Sequence, residues 1–287
     1  MKKTELIMKT KRIALQKKSS APPIIYRTAQ IFSRHPSHNG LRRQIRTGGK
    51  KVLIRFGSST VANNKYTLEL NKIEAIHNSS NKFKMKNSFK AKNVKTAIWF
   101  TTSNGKIFTE ELTGVSIDIN NLNYPIIMKH IFGSRGRGNT KIDTAEQLAK
   151  ALIGKQFSNY IFEKFYNYNK EYRLHVTKNK CFYTCRKMLK NETAKEKRWF
   201  RNDSNSVWIV EDNPIFDKPS NWKSIEEESI KALISCGLDF GAVDVRVQSK
   251  KKEADFIIIE INSAPGLGIV GIDIYKKELL NLINEPI

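Results

Sequence analysis

Apolar and polar positions change period several times along this chain, and each change predicts an element. In residues 243–248 they alternate with a period of two, so Val243, Val245 and Val247 point one way and Asp244, Arg246 and Gln248 the other. In residues 256–262 the same parity puts Ile257, Ile259 and Ile261 on one face and Ile258, Glu260 and Asn262 on the opposite one. The run SKKKEAD between them is too rich in Lys for a core strand, so the two runs predict an antiparallel hairpin. Pairing Gln248 with Phe256 sets Asp244 opposite Glu260, with Asn262 one step further on the same face. Further strands are predicted at KVLIRF, at TAIWFTT ending near Thr102, at residues 125–128 and at YIFEKF, with a hairpin EYRLHVTKNKCFYTC turning at KNK. Helical spacing predicts helices over residues 68–78, through Leu70, Ile73 and Ile76, and over SNKFKMKNSFKAKN, through Phe83, Met85 and Phe89. DTAEQLAKAL opens with Asp143 as N-cap and Glu146 as its capping partner, and SIEEESIKALISCG with Ser224 and Glu227, stopping at Gly237.

Composition narrows the class. A chain of 287 residues buries a substantial core and divides into two or three lobes. No window approaches the ~18 uninterrupted apolar residues of a membrane span, and the basic start leads into no apolar signal core. A soluble, cytoplasmic protein with no membrane partner is expected. Cys181, Cys185 and Cys236 lack zinc-site spacing and read as structural, and His35 and His38 read as loop residues. Of the net charge of +24, only about +4 belongs to residues beyond 100, because residues 1–100 hold about 23 Lys and Arg against about three Asp and Glu. Such a field either attracts a polyanion, an acidic peptide or nucleic acid, or is a solvated basic surface. Residues 1–20 are too polar to offset ordering entropy and are expected to be loose.

The candidate chemistry starts at the hairpin. Like charges facing across a sheet are destabilising, so Asp244 and Glu260 beside Asn262 invite a cation, and oxygen donors of this kind suit magnesium on a nucleotide's phosphates. The plainer reading is a solvated polar face, which leaves the following SAPGLG turn unexplained. HIFGSRGRGN follows a short strand and carries Gly133, Gly136 and Gly138 after Lys129. It is either a loop whose amides approach an anion or a flexible surface hairpin. It lacks the ending of a Walker A loop. Glu171 and Arg173 share a strand face, as a ribose-holding carboxylate and its neighbour or as members of cross-strand ion pairs. Lys197, Arg198, Arg201 and Asn202 stand in a basic loop.

In this order the motifs resemble the ATP-grasp superfamily of carboxylate-amine ligases, closest to its ribosomal-protein glutamate ligase branch, over residues 71–278. The resemblance implies an α+β fold, two α+β lobes sandwiching ATP after a short basic N-terminal region. The corresponding divisions are residues 1–20, 21–78, 79–165 with the glycine-rich loop, and 166–287 with the metal site. It implies that Lys82 and Lys129 bind nucleotide and that Gly133, Ser134, Gly136 and Gly138 form the loop over the phosphates. Glu163, Lys164 and Phe165 would take the adenine and Glu171 the ribose. Lys129, Arg201 and Asn202 would act on phosphate and the acyl-phosphate intermediate. Asp244, Glu260 and Asn262 would hold two magnesium ions, manganese being an alternative, and SAPGLG matches the family's tail. Substrates would be ATP, a carboxylate and an amine, forming an amide, and dimers are frequent in such folds. The sequence departs from the family's pattern at His130, where Pro is usual, and at Ala242, where the D-alanine ligases carry Arg; Arg201 or Arg186 is then expected to supply that charge. The rival class is a basic nucleic-acid-binding protein that keeps a nucleotide site.

Overall fold

The computed structural model describes residues 13–17, 52–59, 61, 66–133, 138–202, 204–248 and 253–284. His35, His38, Ser134 and Gly136 lie outside them, as do most of residues 1–50.

Three sheets organise the chain. The first is parallel, β1 (Ile13–Lys17), β2 (Val52–Phe56) and β3 (Leu68–Leu70) in that order. Every residue of β2 is buried, as a central strand covered on both faces requires. β1 falls within the stretch expected to be loose, so residues 13–17 correct that expectation. The predicted helix over residues 68–78 is also corrected: β3 pairs with β2, and only then does α1 (Ile73–Ser80) begin. The break is Asn71, at φ 59°. Its backbone N–H donates to Asp239 Oδ2 at 2.6 Å, its amide donates to the Arg55 and Phe240 carbonyls, and its Oδ1 accepts from Asp239 N at 2.8 Å. Asp239 and Phe240 are 168 and 169 residues away in sequence, out of reach of local periodicity.

The second sheet is antiparallel with six strands, in the order β6 (Ser116–Asp118), β5 (Ile107–Glu110), β4 (Trp99–Thr102), β9 (Tyr160–Lys164), β7 (Ile126–His130), β8 (Thr140–Ile142). α3 (Ala145–Leu152) packs on it through Leu148 and Leu152, against Phe100, Phe108, Ile126, Met128 and Phe162. Its N-cap is Thr144 rather than Asp143: the Thr144 hydroxyl accepts from Gln147 N at 3.3 Å, and Gln147 Oε1 accepts from Asp143 N at 2.8 Å. The capping box exists one residue later than predicted.

The third sheet, also antiparallel, runs β12 (Ser206–Val210), β11 (Cys181–Leu189), β10 (Lys170–Thr177), β13 (Phe240–Val247), β14 (Phe256–Asn262). One face is apolar. Tyr172, Leu174, Val176, Val243, Val245 and Val247 form the largest core cluster with α4 (Trp222–Ser235), α1 and α2 (Lys82–Ala91). α2 packs, through Met85 and Phe89, with the third sheet. α4 starts at Trp222 after Asn221, not at Ser224: the Asn221 carbonyl accepts from Ser224 and Ile225 N–H, and its amide donates to the Ala254 carbonyl at 2.9 Å. Gly237 ends it as expected, at φ 78°. α5 (Gly268–Asn284) covers the parallel sheet, Tyr275, Leu279 and Ile283 meeting Val52, Ile54 and Phe56. No described helix is long and apolar enough to cross a membrane.

Candidate active site

The polar face of the third sheet is the parity complement of its core. Because Tyr172 and Leu174 point into the core, Glu171 and Arg173 point away from it, and Asp244 and Arg246 follow from Val243, Val245 and Val247 in the same way. The register then sets Arg173 opposite Asp244, Glu171 opposite Arg246, and Asp244 opposite Glu260. The predicted facing of Asp244 and Glu260 is thus observed, by a different route. Val247, not Gln248, pairs with Phe256, and a bulge beside Asp244 leaves Ile259 unpaired, which restores the register. The bulge also corrects the predicted faces, since Phe256, Ile258 and Ile261 share the core while Glu260 and Asn262 keep the polar side.

Asp244 is bidentate with Arg173, at 2.6 Å to Nε and 2.8 Å to Nη2, and the Asn262 amide lies 3.4 Å from its Oδ2. The Arg173 guanidinium sits 4.6 Å from the Trp208 ring centre. Burial would lower its pKa, and the Asp244 carboxylate more than reverses that. Glu260 is 3.7 Å from the Lys82 ammonium, which also donates to the carbonyl of Gly133. Lys82 thus links the start of the glycine-rich loop to the hairpin. Gly138, at the loop's far end, has φ 76°, a conformation that favours glycine.

Across from this face, β7 and β9 bring Lys129 within 2.6 Å of Glu163 Oε2, and α2 brings Lys86 within 3.1 Å of its Oε1. Burial would raise the Glu163 carboxyl, but the two ammonium groups outweigh it and hold it down to about 2. The Glu163 side chain is therefore occupied by lysines. The Lys164 and Phe165 amides donate to the Ile98 and Pro125 carbonyls at 2.9 and 3.0 Å. Glu171 lies 3.3 Å from Arg246 and 3.7 Å from Arg201, the cross-strand ion-pair alternative of the sequence reading. Arg201 also donates to the Asn169 carbonyl, and burial, partly offset by Glu171, lowers its pKa. The Asn202 side-chain oxygen accepts from the Ser204 and Asn205 amides at 3.0 Å, shaping the loop. Arg186 donates to the Ile215 and Phe216 carbonyls. Arg173 is therefore the arginine the structure brings to Asp244.

A cavity of about 910 Å³ opens between the segment after β9 and the basic loop, lined by Phe165, Tyr168, Trp199, Arg201, Arg246 and Lys141 among others. Its size and its mixed aromatic and basic lining suit a nucleoside-sized ligand. Among the described residues no group of three or more His, Cys, Asp or Glu converges. The oxygen set at the hairpin is two carboxylates and an amide, which fits a magnesium ion that takes its remaining ligands from phosphate and water. Sequence reasoning missed Lys86, Arg246 and the pairing of Arg173 with Asp244. The signal for Lys86 was present: residues 82, 85, 86 and 89 share one helix face, so a lysine on the buried side needed an anion.

No family model matches the chain. A curated relative, coenzyme gamma-F420-2:alpha-L-glutamate ligase of Methanococcus maripaludis, is 23% identical over 216 residues, 72% of this chain and 68% of that protein. Among solved structures, D-alanine–D-alanine ligase from Bacillus anthracis superposes with a TM-score of 0.60 at 11% identity, over 94% of this chain and 92% of that one. The ATP-grasp ligase PsnB, complexed with a minimal precursor, gives 0.52 at 14% identity, over 76% of this chain and 64% of that one. This chain has the ATP-grasp fold. The α+β architecture implied by the sequence is borne out, and ATP complexes are known on the same fold, including the Bacillus anthracis ligase with ATP at a TM-score of 0.58. Within the ATP-grasp frame of this chain, Lys129 and Glu163 come from the six-stranded sheet, and Asp244, Glu260 and Asn262 from the five-stranded one.

Proposed function

We propose that this protein is an ATP-dependent ligase that joins a carboxylate to an amine through an acyl-phosphate. The observation that carries the reading is the meeting of a lysine with an oxygen-donor set: Lys82 bridges the glycine-rich loop and Glu260, and Asp244 and Asn262 stand beside them. In the first step an oxygen of the substrate carboxylate attacks the γ-phosphorus and ADP leaves with the bridging oxygen. In the second the amine nitrogen attacks the acyl carbon, phosphate leaves, and the nitrogen loses a proton. Lys129 and Arg201 stabilise the charge developing on the transferred phosphoryl group. Two magnesium ions, or manganese, held by Asp244, Glu260 and Asn262, would neutralise the phosphates. Arg173 would then give up its hold on Asp244 and stay on the same face, supplying the positive charge that Ala242 lacks. No protein nucleophile is required, and burial pushes the Cys181 and Cys236 thiols up to about 12, far from the reactive thiolate form.

The name of the curated relative makes L-glutamate the first amine to test, and the basic first hundred residues favour an acidic peptide as acceptor. We place the reaction in the cytoplasm, where ATP is at hand. The test is amine-dependent release of ADP over amino acids and acidic peptides, with the product masses determined. ADP accompanied by an amide supports the reading; ADP accompanied by a phosphorylated product without an amide contradicts it. The same basic segment also favours a nucleic-acid-binding reading. A salt titration of DNA and RNA binding separates the two, and weak binding unchanged by deleting residues 1–50 removes that rival.

A further inference from the structure

Lys86 is fully buried, yet it lies on α2 among residues that pack into the core of the third sheet. A buried ammonium needs an anion, and its partner is not on that sheet. Its Nζ is 3.1 Å from Glu163 on β9, and it donates at 2.6 Å to the Thr96 hydroxyl, which in turn donates to the Ile258 carbonyl on β14. Glu163 offers its other oxygen to Lys129 at 2.6 Å. One carboxylate thus serves two ammonium groups, and the cluster carries one excess positive charge.

Were Lys129 the sole partner of Glu163, moving its ammonium to a phosphate would strand a buried carboxylate without a counter-ion. We propose that Lys86 is a positioning residue: it stays with Glu163 as the resident counter-ion and so frees Lys129 to bind the nucleotide's phosphates. The proposal rests on the nucleotide reading above. The charged groups facing Lys86 are Glu163 from β9, Lys129 from β7 and Glu260 from β14. Burial, aided by Lys129 and opposed by Glu163, lowers its pKa to about 8. Lys86 therefore carries its proton at neutral pH and loses it as the pH rises through that value.

The test is calorimetric titration of the full-length protein with ATP and Mg²⁺. Lys86→Met should bind ATP at least about tenfold more weakly than wild type, because Glu163 then competes for Lys129. Lys86→Arg should stay within about threefold of wild type, and in a Glu163→Gln background Lys86→Met should weaken ATP binding by no more than about threefold further. A purely structural role for Lys86 predicts the same loss in both backgrounds. Lys86→Met binding like wild type, or the same loss with and without Glu163→Gln, overturns the proposal. Should Lys86→Met alone fail to fold, the charge-neutral double variant decides: ATP binding more than about tenfold weaker than in Glu163→Gln overturns the proposal. A wild type that binds no ATP at pH 7.5 overturns the nucleotide reading, and this proposal with it.

Discussion

The two charge clusters of the candidate site are built on opposite ratios. At Glu163 two lysines share one carboxylate, whereas at the hairpin two carboxylates, Asp244 and Glu260, are matched by one arginine and one lysine. The first has a cation in excess, suited to a phosphate. The second is neutral with side-chain cations that a metal ion can replace. The difference also follows the scaffold. Glu163 is 4% exposed and held from two directions, so its cluster is rigid. Asp244 is buried too, but Glu260 opposite it is only partly buried and a bulge lies beside the pair, where ligands can exchange.

The sharpest break of this contrast is to remove one member from each side. Glu260→Ala and Lys129→Ala should each lower amine-dependent ADP release by on the order of 100- to 1000-fold, with circular dichroism unchanged. Next, Arg173→Ala leaves the buried Asp244 beside Glu260 without its cation, and should cost about 3 kcal/mol in metal-free denaturant unfolding. Millimolar Mg²⁺ should restore part of that loss, and Mn²⁺ titration should show tighter binding than in wild type. An Arg173→Ala protein as stable as wild type without metal, and no more avid for Mn²⁺, would break the exchange argument.

On the other side, the Glu163 carboxyl is held down to about 2 from an ordinary 4.5. A depressed carboxyl contributes stability that is present above its unfolded value and lost as the pH falls toward its folded one. The difference in stability between wild type and Glu163→Gln should therefore be full above about pH 5 and shrink by about 3 kcal/mol on approaching pH 2. Asn71 provides the control, since it belongs to neither cluster. Asn71→Ala removes the bonds to Asp239 and Phe240 at a left-handed φ and should cost about 2 kcal/mol. Asn71→Gly, which tolerates that φ, should cost less, and neither should change the metal titration.

How much of this was legible depended on whether the deciding contact was local. Period-two alternation exposed Asp244 and Glu260, because parity is fixed by the backbone. The bulge at Ile259 was not legible, since no residue of FIIIEIN marks it, and the pairing survived because the turn-end register was also off by one. The capping box near residue 144 was visible but one residue misplaced, as Asp143, Thr144, Glu146 and Gln147 all cap well. Lys86 and Asn71 were missed because their roles rest on partners on other elements, Glu163 and Asp239. The adenine role of Glu163 came from resemblance, and the structure adds the two lysines that hold it.

The central claim is that the hairpin and the lysines act together on ATP. The most direct measurement is ADP release by the full-length protein with L-glutamate and an acidic peptide, with and without Mg²⁺, for wild type and Glu260→Ala. The account predicts release that needs the metal and both substrates and is lost in Glu260→Ala. Release that persists in Glu260→Ala at the wild-type rate would contradict it.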